Sequence, residues 1–119
     1  MKAIDLSGKK ALITGSSRGI GRATANFLAE AGAEVTIHYK KNVQAAVEAG
    51  QEIEARGGKY LLIQADLASK KDVERMVSRC LEVWGTIDIL VNNAGIWTYG
   101  EMGSMSAETW RETMAINLD

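Results

Sequence analysis

The stretch of this sequence best suited to chemistry is Thr14-Gly15-Ser16-Ser17-Arg18-Gly19-Ile20-Gly21, between a short apolar run and a segment of helical spacing. A glycine-rich turn from strand to helix leaves backbone N–H groups bare at the helix start. The helix dipole adds positive potential there, and the two together favour a diphosphate. Gly15 permits the sharp turn off the strand, Gly19 lets phosphates approach the backbone, and Gly21 lets the helix pack closely on the sheet. Such a turn can also be purely structural. Its spacing, Gly-x-x-x-Gly-x-Gly, departs from the usual Gly-x-Gly-x-x-Gly dinucleotide turn, and it lacks the Gly-Lys-Ser/Thr ending of a triphosphate-binding loop.

Further along stand Asp66, the run Asn92-Asn93-Ala94-Gly95, and Asn117 within Ile-Asn-Leu-Asp. The elements that must position them alternate. Lys9 to Thr14 reads as a buried strand, and Glu34 to Tyr39, Tyr60 to Ala65 and Ile87 to Asn92 read as further strands. The first helix has Ile20, Thr24, Phe27, Leu28 and Ala31 on one face and stops at Gly32. The second, capped by Asn42, carries Val43, Ala46, Val47, Gly50 and Ile53, and ends at Gly57-Gly58. Ser69 caps the third, with Asp72 placed to complete a capping box. Its stripe is Val73, Met76, Val77, Cys80, Leu81 and Trp84, and Gly85 stops it. A fourth helix starts after Ser106. Strands separated by helices require right-handed crossovers, so the fold class is α/β, a doubly wound parallel sheet. Thr14, Asp66 and Asn92 then all fall at the carboxyl ends of parallel strands, where open α/β sheets bind ligands.

Taken in this order, the motifs resemble those of the short-chain dehydrogenase/reductase family. Thr14-Gly15-x-x-x-Gly19-x-Gly21 matches its glycine signature, Asn92-Asn93-Ala94-Gly95 its Asn-Asn-Ala-Gly signature, and Asn117 the asparagine of its catalytic set. The wording around His38-Tyr39-Lys40-Lys41-Asn42 and Met114-Ala115-Ile116-Asn117 is most similar to the 3-oxoacyl-[acyl-carrier-protein] reductase branch. The resemblance implies a Rossmann-like strand order 3-2-1-4. It implies a cofactor lined by Gly15, Ser17, Arg18, Gly19, Ile20, Gly21, Tyr39, Lys40, Asp66, Leu67, Asn92, Ala94 and Gly95. Asp66 would lie against the adenine ring, and Asn117 would organise water and a lysine in a proton relay.

An NAD site usually carries Asp or Glu at the end of the second strand for the ribose 2′-hydroxyl. Here Ile37-His38-Tyr39-Lys40-Lys41-Asn42 offers none, and Glu34 sits at the strand's other end. Arg18 and Lys40 are instead suited to a 2′-phosphate, so NADP(H) is expected over NAD(H). Solvated surface cations are the alternative reading.

Family members use a tyrosine as acid/base with a lysine four residues on, to match hydride transfer at carbon with a proton at oxygen. Tyr39, Tyr60 and Tyr99 are followed at that spacing by Val43, Gln64 and Gly103. The expectation is therefore a single dinucleotide-binding domain over residues 1–119, the first half of a reductase acting on a small carbonyl or alcohol. Its catalytic half would be absent and the chain alone inactive. A non-catalytic nucleotide-binding or dimerisation module is the alternative. An edge at Ile89-Leu90-Val91 without its next strand would favour a homo-oligomer or pairing with the complementary half.

The rest of the composition narrows the class. Fourteen Lys and Arg against fifteen Asp and Glu give a net charge of −1, which recruits neither nucleic acid nor an anionic membrane. Cys80 and His38 are the only residues of their kinds, so no disulfide within the chain and no multi-cysteine metal site is expected. With no signal-like or membrane-spanning stretch in the sequence, a cytoplasmic location is expected. His38 reads as a packed histidine and Cys80 as core; Trp97 and Tyr99 stand where a substrate could touch.

Overall fold

A computed structural model of the chain describes residues 4–93. Within them β1 (Lys10–Ile13), α1 (Gly19–Glu30), β2 (Glu34–Tyr39), α2 (Val43–Ala55), β3 (Tyr60–Gln64), α3 (Lys70–Trp84) and β4 (Ile89–Val91) alternate as the sequence predicts. Ala94, Gly95, Trp97, Tyr99, Asn117 and the helix expected after Ser106 lie outside the described residues.

The four strands form one parallel sheet in the order β3-β2-β1-β4. Side chains alternate across it. Ala11, Ile13, Val35 and Ile37 face α1 and α2, where Ala25, Ala46, Ala49 and Ile53 complete a core. Leu12 and Ile63 lie in the second core, with Val73, Met76, Val77 and Cys80 of α3. Helices thus cover both faces, the doubly wound arrangement.

On the first face α1 turns differently from its apolar stripe, whereas α2 largely keeps its own. In α1 the buried residues are Gly21 and Ala25, while Ile20 and Phe27 are 78% and 56% exposed. In α2 the stripe residues Ala46, Gly50 and Ile53 are buried as expected, Ala49 joins them, and Val43 at the helix start is exposed. The cause is proximity. A Cβ on Gly21 would overlap the Gly15 carbonyl, and one on Gly50 would overlap the Tyr60 ring. Backbones that close leave room for small side chains at the point of contact, so in α1 the small face rather than the bulky one turns inward. By contrast, α3 buries the stripe read from the sequence.

At the start of α3 the Ser69 hydroxyl accepts the Asp72 N–H at 3.2 Å as expected. The reciprocal half of the capping box does not form. Asp72 Oδ2 instead accepts the Asp66 N–H at 2.8 Å, and the Ser69 N–H bonds to the Asp66 carbonyl. The carboxylate reaches past its own cap because the end of β3 offers a backbone donor that lacks a ladder partner.

Candidate functional site

The carboxyl ends of the strands meet at the glycine turn. Gly15 and Gly19 both have φ of 63°, the left-handed region where glycine carries no Cβ penalty. Arg18 is the extended N-cap of α1 and makes no side-chain cap, and the first turn holds no acidic residue. The helix start therefore keeps its positive potential. A Cβ on Gly19 would meet nothing within 4 Å, so this side of the turn is open. Gly21 instead faces inward, where a Cβ would also lie 2.7 Å from Asn93 Nδ2.

Three buried polar residues hold the turn from below. Beyond the pairs Lys10↔Glu34 and Ala11↔Val35, the Thr36 hydroxyl accepts the Ile13 N–H at 2.8 Å and donates to the Ile13 carbonyl at 3.0 Å. The Ser16 hydroxyl accepts the His38 N–H at 2.7 Å and lies 3.0 and 2.9 Å from the Ile13 and Thr36 carbonyls. His38 Nδ1 accepts the Gly15 N–H at 2.8 Å, and Nε2 lies 2.9 Å from the Ala65 carbonyl. Burial pushes the imidazole below its ordinary pKa, partly offset by the bond to Ala65. Thr36, Ser16 and His38 are all buried.

On the β4 side, Thr14 Oγ1 accepts the Asn93 N–H at 3.0 Å and lies 3.3 Å from Asn92 Oδ1, joining the glycine turn to the Asn-Asn motif. On the β3 side, Asp66 Oδ1 accepts the Ala68 N–H at 2.9 Å and pairs with Lys40 Nζ at 3.8 Å. Asp72, whose bond from the Asp66 N–H holds its carboxyl below the usual range, fixes that backbone.

The expected cofactor residues within the described range fall along this edge, in different roles. Arg18 and Ile20 are exposed at the mouth of the turn, and Ser17 is buried in it. Tyr39 is half-buried against the α1–α2 core. Lys40 is engaged by Asp66, which the sequence did not foretell. The side chain of Leu67 is used in the α3 core. The Thr36–Ser16–His38 network was also missed. Its signal was present as two polar residues, Thr36 and His38, alternating with Val35 and Ile37 on the interior stretch of the strand. Among the described residues no group of three His, Cys, Asp or Glu is placed to hold a metal ion, and no helix is long and apolar enough to cross a membrane.

A family model described as short chain dehydrogenase matches residues 9–119. A 3-oxoacyl-[acyl-carrier-protein] reductase of Synechocystis sp. is 39% identical over 113 residues, 95% of this chain and 46% of the relative. A probable tetrahydroxynaphthalene reductase of Zymoseptoria tritici is 36% identical over 94% of this chain and 42% of its own length. The chain thus spans less than half the length of these curated relatives. Among solved structures, a dehydrogenase/reductase from Sinorhizobium meliloti superposes with a TM-score of 0.76 at 39% identity, over 84% of this chain and 43% of that one. A short chain dehydrogenase from Burkholderia cenocepacia in complex with NADP gives 0.72 at 43% identity, over 93% of this chain and 45% of that one.

Proposed function

This chain belongs to the short chain dehydrogenase family, and from that premise we propose that it forms the cofactor-binding half of an NADP(H)-dependent oxidoreductase. The reaction is reduction of a small-molecule carbonyl or oxidation of an alcohol, with a 3-oxoacyl thioester as the favoured substrate class. The observation that carries the reading is the turn itself: uncapped, free of acids, with Gly19 opening onto space. Those features suit a diphosphate at the amides of residues 19–21.

Arg18 supports the choice of dinucleotide. Among the described residues it enters no ion pair or side-chain hydrogen bond, and no carboxylate stands between Tyr39 and Asn42 to bind a ribose 2′-hydroxyl. Lys40 lies close by, but its pairing with Asp66 makes it the weaker contributor; exposed pairs of this kind exchange readily with other partners. Asp66, fixed by Asp72, borders the adenine side. Asn92, Ala94 and Gly95 would contribute to the lining of the cofactor, and Asn117 would serve a proton relay.

A bound nicotinamide dinucleotide supplies or accepts the hydride. The residues of this half bind and orient it; they do not supply the acid/base tyrosine, because the sequence contains no Tyr-x-x-x-Lys. Turnover accordingly requires a complementary half, whether from the same polypeptide or another, and the working assembly is oligomeric. The near-neutral charge supports neither a nucleic-acid nor an anionic-membrane partner.

Calorimetry on the intact polypeptide tests the cofactor reading. NADPH should bind more tightly than NADH. Arg18→Ala should weaken NADPH by about tenfold with little effect on NADH, and Lys40→Ala by less. Preference for NADH in the unaltered protein would defeat the reading.

A further inference from the structure

The ring of His38 is a buried group to which the proposed chemistry gives no part, yet both its nitrogens are committed. The Gly15 N–H can only donate, so Nδ1 must be the bare acceptor. The Ala65 carbonyl can only accept, so Nε2 must carry the hydrogen. The surroundings therefore fix one neutral tautomer. Through it, Gly15 of the turn is tied across β2 to Ala65, the residue before Asp66.

We propose that His38 is a positioning residue of the cofactor site, locking the glycine turn to the end of β3 and releasing it when Nδ1 is protonated. The inference rests on the dinucleotide reading of the site. The turn would hold the diphosphate and the β3 end the adenine, so one side chain spans the two places where the ligand must fit at once. A proton on Nδ1 sets an N–H against the Gly15 N–H, two donors with no acceptor between them, in a site that is 4% exposed. The turn must then shift or the ring must leave.

Charged groups stand around this end of the sheet on the turn, at the ends of β2 and β3, and on α3. Lys40 follows β2, Asp66 follows β3, Asp72 and Arg75 belong to α3, and Arg18 lies on the turn. Lys40 is satisfied by Asp66 at 3.8 Å and Arg75 by Asp72 at 3.5 Å. The ring itself bonds backbone groups, so burial dominates its titration. The linkage has a definite sign. The ring binds its proton less readily folded than unfolded. Its contribution to stability is therefore complete above the ordinary value of 6.5 and diminishes as pH falls below it towards the folded value.

The test has two arms on the intact polypeptide. Without cofactor, the NMR signal of the Gly15 amide should move with pH at the midpoint of the His38 ring, below 6.5. A Gly15 amide indifferent to the ring's titration overturns the lock. In the second arm NADPH affinity is measured across the same pH range for the unaltered protein, His38→Asn and His38→Leu. Asn retains an acceptor for the Gly15 N–H without a titrating ring, whereas Leu removes the acceptor. His38→Leu should weaken NADPH about tenfold at neutral pH, and His38→Asn, which keeps the Gly15 bond but cannot reach the Ala65 carbonyl, should recover only part of that loss. The unaltered protein should lose affinity towards acid with the ring's midpoint. The Asn variant should show only the change that belongs to the 2′-phosphate. Matching pH profiles for these two proteins overturn the coupling. Failure of the unaltered protein to bind either nicotinamide dinucleotide instead defeats the dinucleotide reading, while the amide titration still decides the lock.

Discussion

Gly19 and Gly21 stand two residues apart at the start of α1 and are glycine for unlike reasons. Gly19 needs a left-handed backbone and opens onto space; Gly21 needs the room that a Cβ would occupy against Gly15 and Asn93. Their alanine variants should therefore separate. Gly19→Ala should cost about 1 kcal/mol in urea unfolding and should weaken NADPH beyond that. Gly21→Ala should cost about 3 kcal/mol, because the neighbour it meets is backbone that cannot step aside. Equal losses in stability would contradict these assignments. At this scale the sequence was informative about residue types and weak on partners. The glycines stood out because few residues can replace them there. The engagement of Lys40 by Asp66, and of Asp72 by the Asp66 backbone, joins positions that only the folded strand ends bring together.

Among the elements, α3 was legible and α1 was not, and the difference is physical. The inward residues of α3 are large and apolar, so periodicity reveals them. The fully buried positions of α1 are Gly21 and Ala25, because the helix start rides too close to the end of β1 for bulk; Leu28 packs only partly against the core, and Phe27 is left outside. Phe27→Ala should thus cost less than about 1 kcal/mol. Ala25→Leu, inserting volume into a site with no exposure, should cost about 2 kcal/mol. Denaturant titration of both variants checks this, and the reverse ranking would restore the bulky face as the core-forming one. Strand order was legible for a different reason: the alternation of strand and helix leaves few allowed topologies, and the family's order 3-2-1-4 was the one formed.

Across the whole molecule, a sheet sandwiched by helices keeps its one thiol out of solvent. Cys80 lies fully buried between α3 and the sheet, and burial pushes its pKa up to about 12. Native protein should resist thiol-directed reagents, and labelling should become fast only with global unfolding in denaturant. Rapid labelling under native conditions would show that α3 opens locally. The sheet also carries the functional claim, because the parallel strands bring Thr14, Asp66 and Asn92 to one edge although they lie far apart in sequence. That convergence followed from strand polarity alone, and the burial of His38 was legible too, whereas its bonds to Gly15 and Ala65 join positions that only the folded strand ends bring together. Backbone amide NMR during titration of the intact polypeptide with NADPH tests the central claim most directly. The largest shifts should fall on Gly15, Gly19, Ile20 and Gly21, with smaller ones at Asp66 and Asn92. Saturable binding that leaves the amides of residues 15–21 unmoved, or no binding at all, would contradict it.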